Sequence, residues 1–163
     1  ISLFNDIDMA NTYTQIHLQL VFAVKYRASL ISIDWEDELY KYITGIIQNK
    51  KHKLLQINGM PDHIHILIGY RPSEALPALI ADVKSQSTKW INEHNLVKGK
   101  FQWQDGYGAF SYRKSDIPSI IEYIKKQKEH HYNHQLTFRE EYLQILKEFE
   151  IDYIEDYIFK ALE

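Results

Sequence analysis

HKLLQINGMPDHIHILIGY, residues 52–70, decides the fold. Two runs rich in leucine and isoleucine flank Gly59-Met60-Pro61-Asp62, a cluster of turn-forming residues. The reading is a strand near 52–59, a turn, and a second strand over 63–70. Within a strand, residues i and i+2 share a face, so His63 and His65 project side by side while Ile64 and Ile66 point the other way. Two imidazoles so placed can share one cation. A half-solvated face is the plainer alternative for any such pair. A strand this apolar offers little water, however, and a buried imidazole needs a polar partner.

Working outward, TYTQIHLQLVFAV (12–24) alternates with Ile16, Leu18, Leu20 and Phe22 on one face and reads as a strand. DWEDELYKYITGIIQN (34–49) opens on Asp34 as N-cap and continues with helical spacing through Leu39, Ile43 and Ile46 or Ile47. Ser73 opens a helix lasting to about His94, with Leu76, Leu79, Ile80 and Val83 inward. FQWQDGYGAFSY (101–112) reads as two short strands joined at Asp105-Gly106. Ser115 or Asp116 caps a helix carrying Ile120, Ile121, Tyr123, Ile124 and Gln127; a further helix spans about 137–149, and a tyrosine-rich end follows. The order strand, helix, strand, strand, helix, strand predicts an α+β fold, one antiparallel sheet with helices packed on it in a ferredoxin-like (RRM-like) sandwich.

With 163 residues, 45% of them hydrophobic, the chain suits one domain with a sizeable core. It has no cysteine, which excludes disulfides, zinc–thiolate sites and thiol nucleophiles. No apolar run approaches the ~20 residues that span a bilayer, and no basic flank leads an apolar stretch at the start, so a soluble cytoplasmic protein without membrane contact is expected. Residues 1–8, ISLFNDID, precede Met9 and read as a non-native or disordered leader; 9–142 read as the functional domain and 143–163 as an acidic C-terminal tail. The net charge of −3 conceals a division: residues 140–163 carry eight acidic and two basic side chains, whereas residues 1–139 carry 17 basic and 14 acidic. A mildly basic body permits a nucleic-acid surface without requiring one.

On the helix opened by Ser115 or Asp116, Tyr123 and Gln127 are four residues apart and share a face. Tyr123 is an available nucleophile, and the Gln127 amide oxygen is able to complete a metal site begun by His63 and His65. Among 12 tyrosines in the chain most are packing residues, so this pair gains meaning only beside the histidines.

Together, His63-Ile64-His65 and the later Tyr123-Ile-Lys-Lys-Gln127 resemble the single-tyrosine HUH transposases of bacterial insertion sequences, the transposase A type that moves an element as single-stranded DNA. The resemblance extends to Phe22-Ala-Val-Lys-Tyr-Arg27, Met60-Pro-Asp-His-Ile-His-Ile-Leu67, Trp103-Gln-Asp-Gly-Tyr-Gly-Ala-Phe-Ser111 and Phe138-Arg-Glu-Glu-Tyr142, covering about Tyr13 to Tyr142. It implies the HUH form of the sandwich and a DNA strand-transfer enzyme. By position, Tyr123 would be the catalytic nucleophile, forming a 5′-phosphotyrosine and freeing a 3′-hydroxyl; His63, His65 and Gln127 would bind a divalent cation, Mg2+ or Mn2+. It also implies a single-stranded DNA partner with hairpin ends, and a homodimer in which each tyrosine helix completes the other subunit's site. A cation beside a phosphodiester neutralises charge and aligns attack. The phosphotyrosine keeps the bond energy for rejoining, and no GxxxxGK[ST] run is present.

Candidate DNA contacts are Lys84 and Lys89 on the second long helix, Lys98 and Lys100 after it, and Arg113, Lys114, Lys125, Lys126 and Lys128 around the tyrosine helix. Trp103 and Tyr107 are candidate stacking platforms for bases, and Tyr107 is the second-choice nucleophile. His130, His131 and His134 read as a solvated helix end, with a proton shuttle as the alternative. Two other classes stay open: a domesticated hairpin-DNA nuclease, and a non-catalytic ferredoxin-like module whose histidines only pack.

Overall fold

The structure, a computed structural model, describes residues 11–28 and 30–158; the leader expected over 1–8 and the last residues of the tail lie outside them. β1 (His17–Ala23), β2 (Lys53–Met60), β3 (His63–Gly69) and β4 (Gly108–Tyr112) form one antiparallel sheet in the order β2-β3-β1-β4. α1 (Glu36–Asn49) links β1 to β2, and α2 (Leu76–Glu93) links β3 to β4. This is the βαββαβ arrangement that the sequence order predicts. Beyond β4 come α3 (Ile117–Lys125), α4 (Gln127–His134) and α5 (Phe138–Glu148). No helix among the described residues is long and apolar enough to cross a membrane.

The strand period separates two cores. Leu20, Phe22, Ile64, Ile66 and Ile68 face α1 and α2, where they meet Leu39, Ile43, Ile47, Leu79 and Val83. At ~2 kcal/mol for each large side chain fully withdrawn from water, this layer is a main source of stability. The opposite face carries Val21, Ala23 and Phe110 against Phe138, Tyr142, Ile145 and Leu146 of α5, and Leu67 against Ile117 and Ile124 of α3. His63 and His65 lie on that second face, both fully buried.

The β2–β3 hairpin closes through Pro61 and Asp62, with Met60 opposite His63 and Gly59 opposite Ile64. Its tip is tied to the exit of β1: Val24 N–H donates to the Asp62 carbonyl (2.8 Å) and Ile31 N–H to that of Pro61 (2.9 Å). Gly59 has no room for a side chain, because a Cβ there would collide with the backbone carbonyl oxygen of His63.

Several boundaries differ from expectation. Asp34 does not cap α1: the helix starts at Glu36, and Ser32 orders the preceding turn by accepting from Asp34 N–H (3.1 Å) and Glu36 N–H (2.9 Å). α2 starts at Leu76 rather than Ser73, because Pro77 lacks an N–H and fits only in a helix's first turn. The two short strands expected over 101–112 do not pair with each other. Val21 pairs with Gly108 and Val24 bridges Trp103, so both halves run along the same edge of β1, separated by a loop in which Gly106 takes a left-handed φ of 86°. The tyrosine helix breaks at Lys126, placing Gln127 at the start of α4. The boundary expected at 142 falls inside α5, whose buried stripe Phe138, Tyr142, Ile145, Leu146 runs across it; Thr137 caps this helix in a reciprocal box with Glu140.

Candidate active site

β3 brings His63 and His65 onto one face, with ring centroids 5.1 Å apart. Each Nδ1 is anchored: that of His63 meets the Asp62 carboxylate at 2.7 Å, and that of His65 meets Gln19 Oε1 at 2.7 Å. Gln19 lies on the neighbouring β1 and donates from Nε2 to the Tyr112 hydroxyl at 2.8 Å, which fixes its amide. Partners at Nδ1 set each ring's rotation and leave Nε2 toward the interior.

Both Nε2 atoms converge on Glu141 of α5. Its Oε1 lies 3.0 Å from Nε2 of His65, 3.1 Å from that of His131 and 3.3 Å from that of His63. Its Oε2 accepts a short hydrogen bond from the Tyr123 hydroxyl and another from Gln127 Nε2 at 2.8 Å. Gln127 Oε1 faces Nε2 of His63 at 3.2 Å. His63 also stacks on Phe138, centroids 4.1 Å apart.

The electrostatics follow from this packing. Burial works against a charged His63, but hydrogen bonds to the Asp62 and Glu141 carboxylates outweigh it and push the imidazole up to about 9. Burial dominates at His65 and lowers it despite Glu141. Burial would raise Glu141, yet the surrounding imidazoles outweigh it and hold the carboxyl well below the usual range. Burial and the adjacent Glu141 charge push the Tyr123 phenol well above its ordinary value.

His63, His65, Tyr123 and Gln127 thus meet in one cluster, within one chain. Sequence reasoning missed Glu141, His131, Gln19 and Asp62. His131, read as part of a solvated helix end, is buried and inside the cluster; the signal was its place four residues after Gln127 on the same face. Glu141 shares the apolar stripe of α5, an unusual place for a carboxylate. His134 is exposed, whereas His130 packs beside the Tyr123 ring at 5.2 Å.

The expected DNA contacts divide. Lys84 does not stand free: its ammonium donates to the carbonyls of Gln104 (2.7 Å) and Gly106 (2.6 Å) and anchors the loop before β4. Lys128 clamps α4 to Asn58, Gly59 and Glu36. Lys89 pairs loosely with Glu93, Arg113 with Asp116, and Lys125 and Lys126 with Glu122, all at the surface. Lys114 is exposed. Trp103 is no stacking platform; it is buried, edge-on to Phe22 and Phe101, with its indole N–H on Ser87. Tyr107 packs partly against the same core.

Residues 12–127 match the family described as IS200-like transposases. The chain belongs to that family. Among relatives of this IS200-like transposase, the ISDra2 transposase TnpA of Deinococcus radiodurans is 23% identical over 118 residues, 69% of this chain and 84% of that protein. Two solved structures share the fold. A crystal structure of a D. radiodurans R1 protein assigned as a transposase gives a TM-score of 0.58 at 22% identity, over 71% of this chain and 93% of that one. A REP-associated tyrosine transposase bound to a REP hairpin gives 0.56 at 14% identity, over 76% and 71%.

Proposed function

We propose that this transposase cleaves and rejoins single-stranded DNA at hairpin-marked element ends through a 5′-phosphotyrosine on Tyr123. One observation carries the reading: the Nε2 atoms of His63 and His65, on rings held at Nδ1, and the hydroxyl of Tyr123 meet around one carboxylate. A hairpin-bound structural neighbour supports the choice of DNA partner.

The donors fit a divalent cation, Mg2+ or Mn2+: two imidazoles with Nδ1 held by acceptors, and the Gln127 amide oxygen beside His63. When bound, the ion supplies charge neutralisation to a phosphodiester oxygen. Tyr123 presents its phenol oxygen, with its proton held at Glu141 Oε2. As the phenol oxygen bonds to phosphorus, the bond to the 3′-oxygen breaks; the phenol loses its proton and the 3′-oxygen gains one. The raised phenol resists ionising before substrate arrives. Rejoining runs the same exchange backward, with a 3′-hydroxyl attacking the phosphotyrosine.

Exposed Lys89, Arg113, Lys114, Lys125 and Lys126 are the proposed backbone contacts; the bound roles of Lys84 and Lys128 remove them from that set. A homodimer belongs to the proposal, with each site completed either within one chain or by exchange of tyrosine helices between subunits; Asn58 Nδ2–H donating to the Lys125 carbonyl at 3.0 Å and Lys128 gripping Asn58, Gly59 and Glu36 support the first arrangement.

The test is cleavage of a labelled single strand carrying the end hairpin, with Mn2+ or with chelator. Cleavage should vanish with chelator and in a His63→Ala/His65→Ala variant. Metal-independent cutting, or cutting by that variant, would refute the proposal.

A further inference from the structure

Glu141 sits where α5 otherwise turns Phe138, Tyr142, Ile145 and Leu146 inward, and a carboxylate there is costly unless its lone pairs are answered. Oε2 receives the Tyr123 hydroxyl and the Gln127 amide N–H. Oε1 meets three imidazole Nε2 atoms, and the opposite nitrogens decide what those rings carry. Nδ1 faces a carboxylate in His63 (Asp62, 2.7 Å), an amide oxygen in His65 (Gln19, 2.7 Å) and a backbone carbonyl in His131 (Leu136, 2.6 Å). All three partners only accept, so each Nδ1 carries the proton, and a neutral ring then turns a bare Nε2 lone pair toward Oε1. Lone pair against lone pair is repulsive unless a proton or a cation stands between them. A divalent ion set between Oε1 and the Nε2 atoms of His63 and His65 answers those lone pairs.

We propose that Glu141 is itself a ligand of the cation held by His63 and His65, making a two-histidine, one-carboxylate site, and that its second oxygen fixes the Tyr123 hydroxyl beside that ion. The inference rests on the metal reading above and deepens it. The ligand atoms of His63, His65 and Glu141 lie within 4.8 Å of one another. Carboxylate oxygen suits Mg2+ and Mn2+ better than a purely nitrogen and amide set. Gln127 steadies Oε2 through Nε2 while its own Oε1 remains the amide ligand beside His63, and His131 acts as a positioning residue behind Oε1 of Glu141.

The experiment measures Mn2+ affinity of the full chain without DNA, by calorimetry and electron paramagnetic resonance, for the wild type, Glu141→Gln, the surface control Lys41→Ala and His63→Gln/His65→Gln. Glu141→Gln keeps the shape but loses the charge; its Mn2+ affinity should fall about 100-fold, while Lys41→Ala stays within about threefold of the wild type. Wild-type affinity in Glu141→Gln, with the double histidine variant binding none, would overturn Glu141 as a ligand and leave the metal reading standing. No Mn2+ bound by the wild type would overturn both. Difference infrared spectra of the wild type on adding Mg2+ need no variant at this position: a shifted carboxylate stretch that persists in Asp62→Asn is expected, and its absence would overturn the inference even if Glu141→Gln failed to fold.

Discussion

Raising the pH of the metal-free protein should destabilise it through His63. His63 is pushed from 6.5 to about 9 in the folded chain. A histidine held above its unfolded value contributes stability that is complete below 6.5 and lost as pH rises through about 9. At ~1.4 kcal/mol per pH unit the full contribution is ~3 kcal/mol, most of it disappearing between pH 7 and 9.5. His65 does not blur that window: its folded value is lowered, so its contribution changes below 6.5 and is level above. The assay is urea unfolding in chelator at half-unit pH steps, for wild type and Asp62→Asn. Hydrogen bonding to Asp62 is the first upward influence on His63, so the wild-type slope should be the steeper. Stability that is flat or rises from pH 7 to 9.5, or slopes that match in the two proteins, would refute the reasoning.

Two glycines should respond oppositely. Gly59→Ala drives a methyl into the His63 carbonyl and should cost ~3 kcal/mol with loss of metal binding, whereas at Gly45, mid-helix with nothing within 4 Å, alanine should add ~1 kcal/mol; urea midpoints read both. Mixing Tyr123→Phe with His63→Ala/His65→Ala separates the two arrangements: cleavage stays absent where each chain completes its own site, and recovered cleavage would establish exchange of tyrosine helices. Lys125→Ala/Lys126→Ala should lower single-strand affinity and reduce the salt slope by ~0.7 for each phosphate left without its lysine, measured by fluorescence anisotropy, while Lys84→Met should leave that slope unchanged.

The sheet was legible because its signals are local. Alternation in β1, the Pro61-Asp62 turn and the apolar faces of α1 and α2 each declare themselves within a dozen residues, and the βαββαβ order then fixes the topology. The two short strands read over 101–112 lie along one edge of β1, the first reduced to a bridge at Trp103, an outcome that depends on which strand each half pairs with. The histidine pair, Tyr123 and Gln127 could be named because their spacings suggested shared faces and the resemblance to the HUH transposases joined the two pairs, although the helix breaks at Lys126 between Tyr123 and Gln127. Glu141 and Gln19 could not, since their meaning arises only when α5 closes over the sheet and a distant carboxylate and amide meet the two imidazoles. His131 lay between these cases: its spacing from Gln127 was visible, but its neighbours His130 and His134 made the segment look solvated.

The most direct measurement is to incubate the protein with Mn2+ and a labelled single strand bearing its element's end hairpin, resolve the mixture by denaturing electrophoresis, and map the adduct by mass spectrometry. A covalent protein–DNA band absent from Tyr123→Phe, with the nucleotide on the peptide containing Tyr123, is the predicted result. A band that survives Tyr123→Phe, or an adduct on Tyr107 instead, would contradict the assignment of Tyr123 as nucleophile.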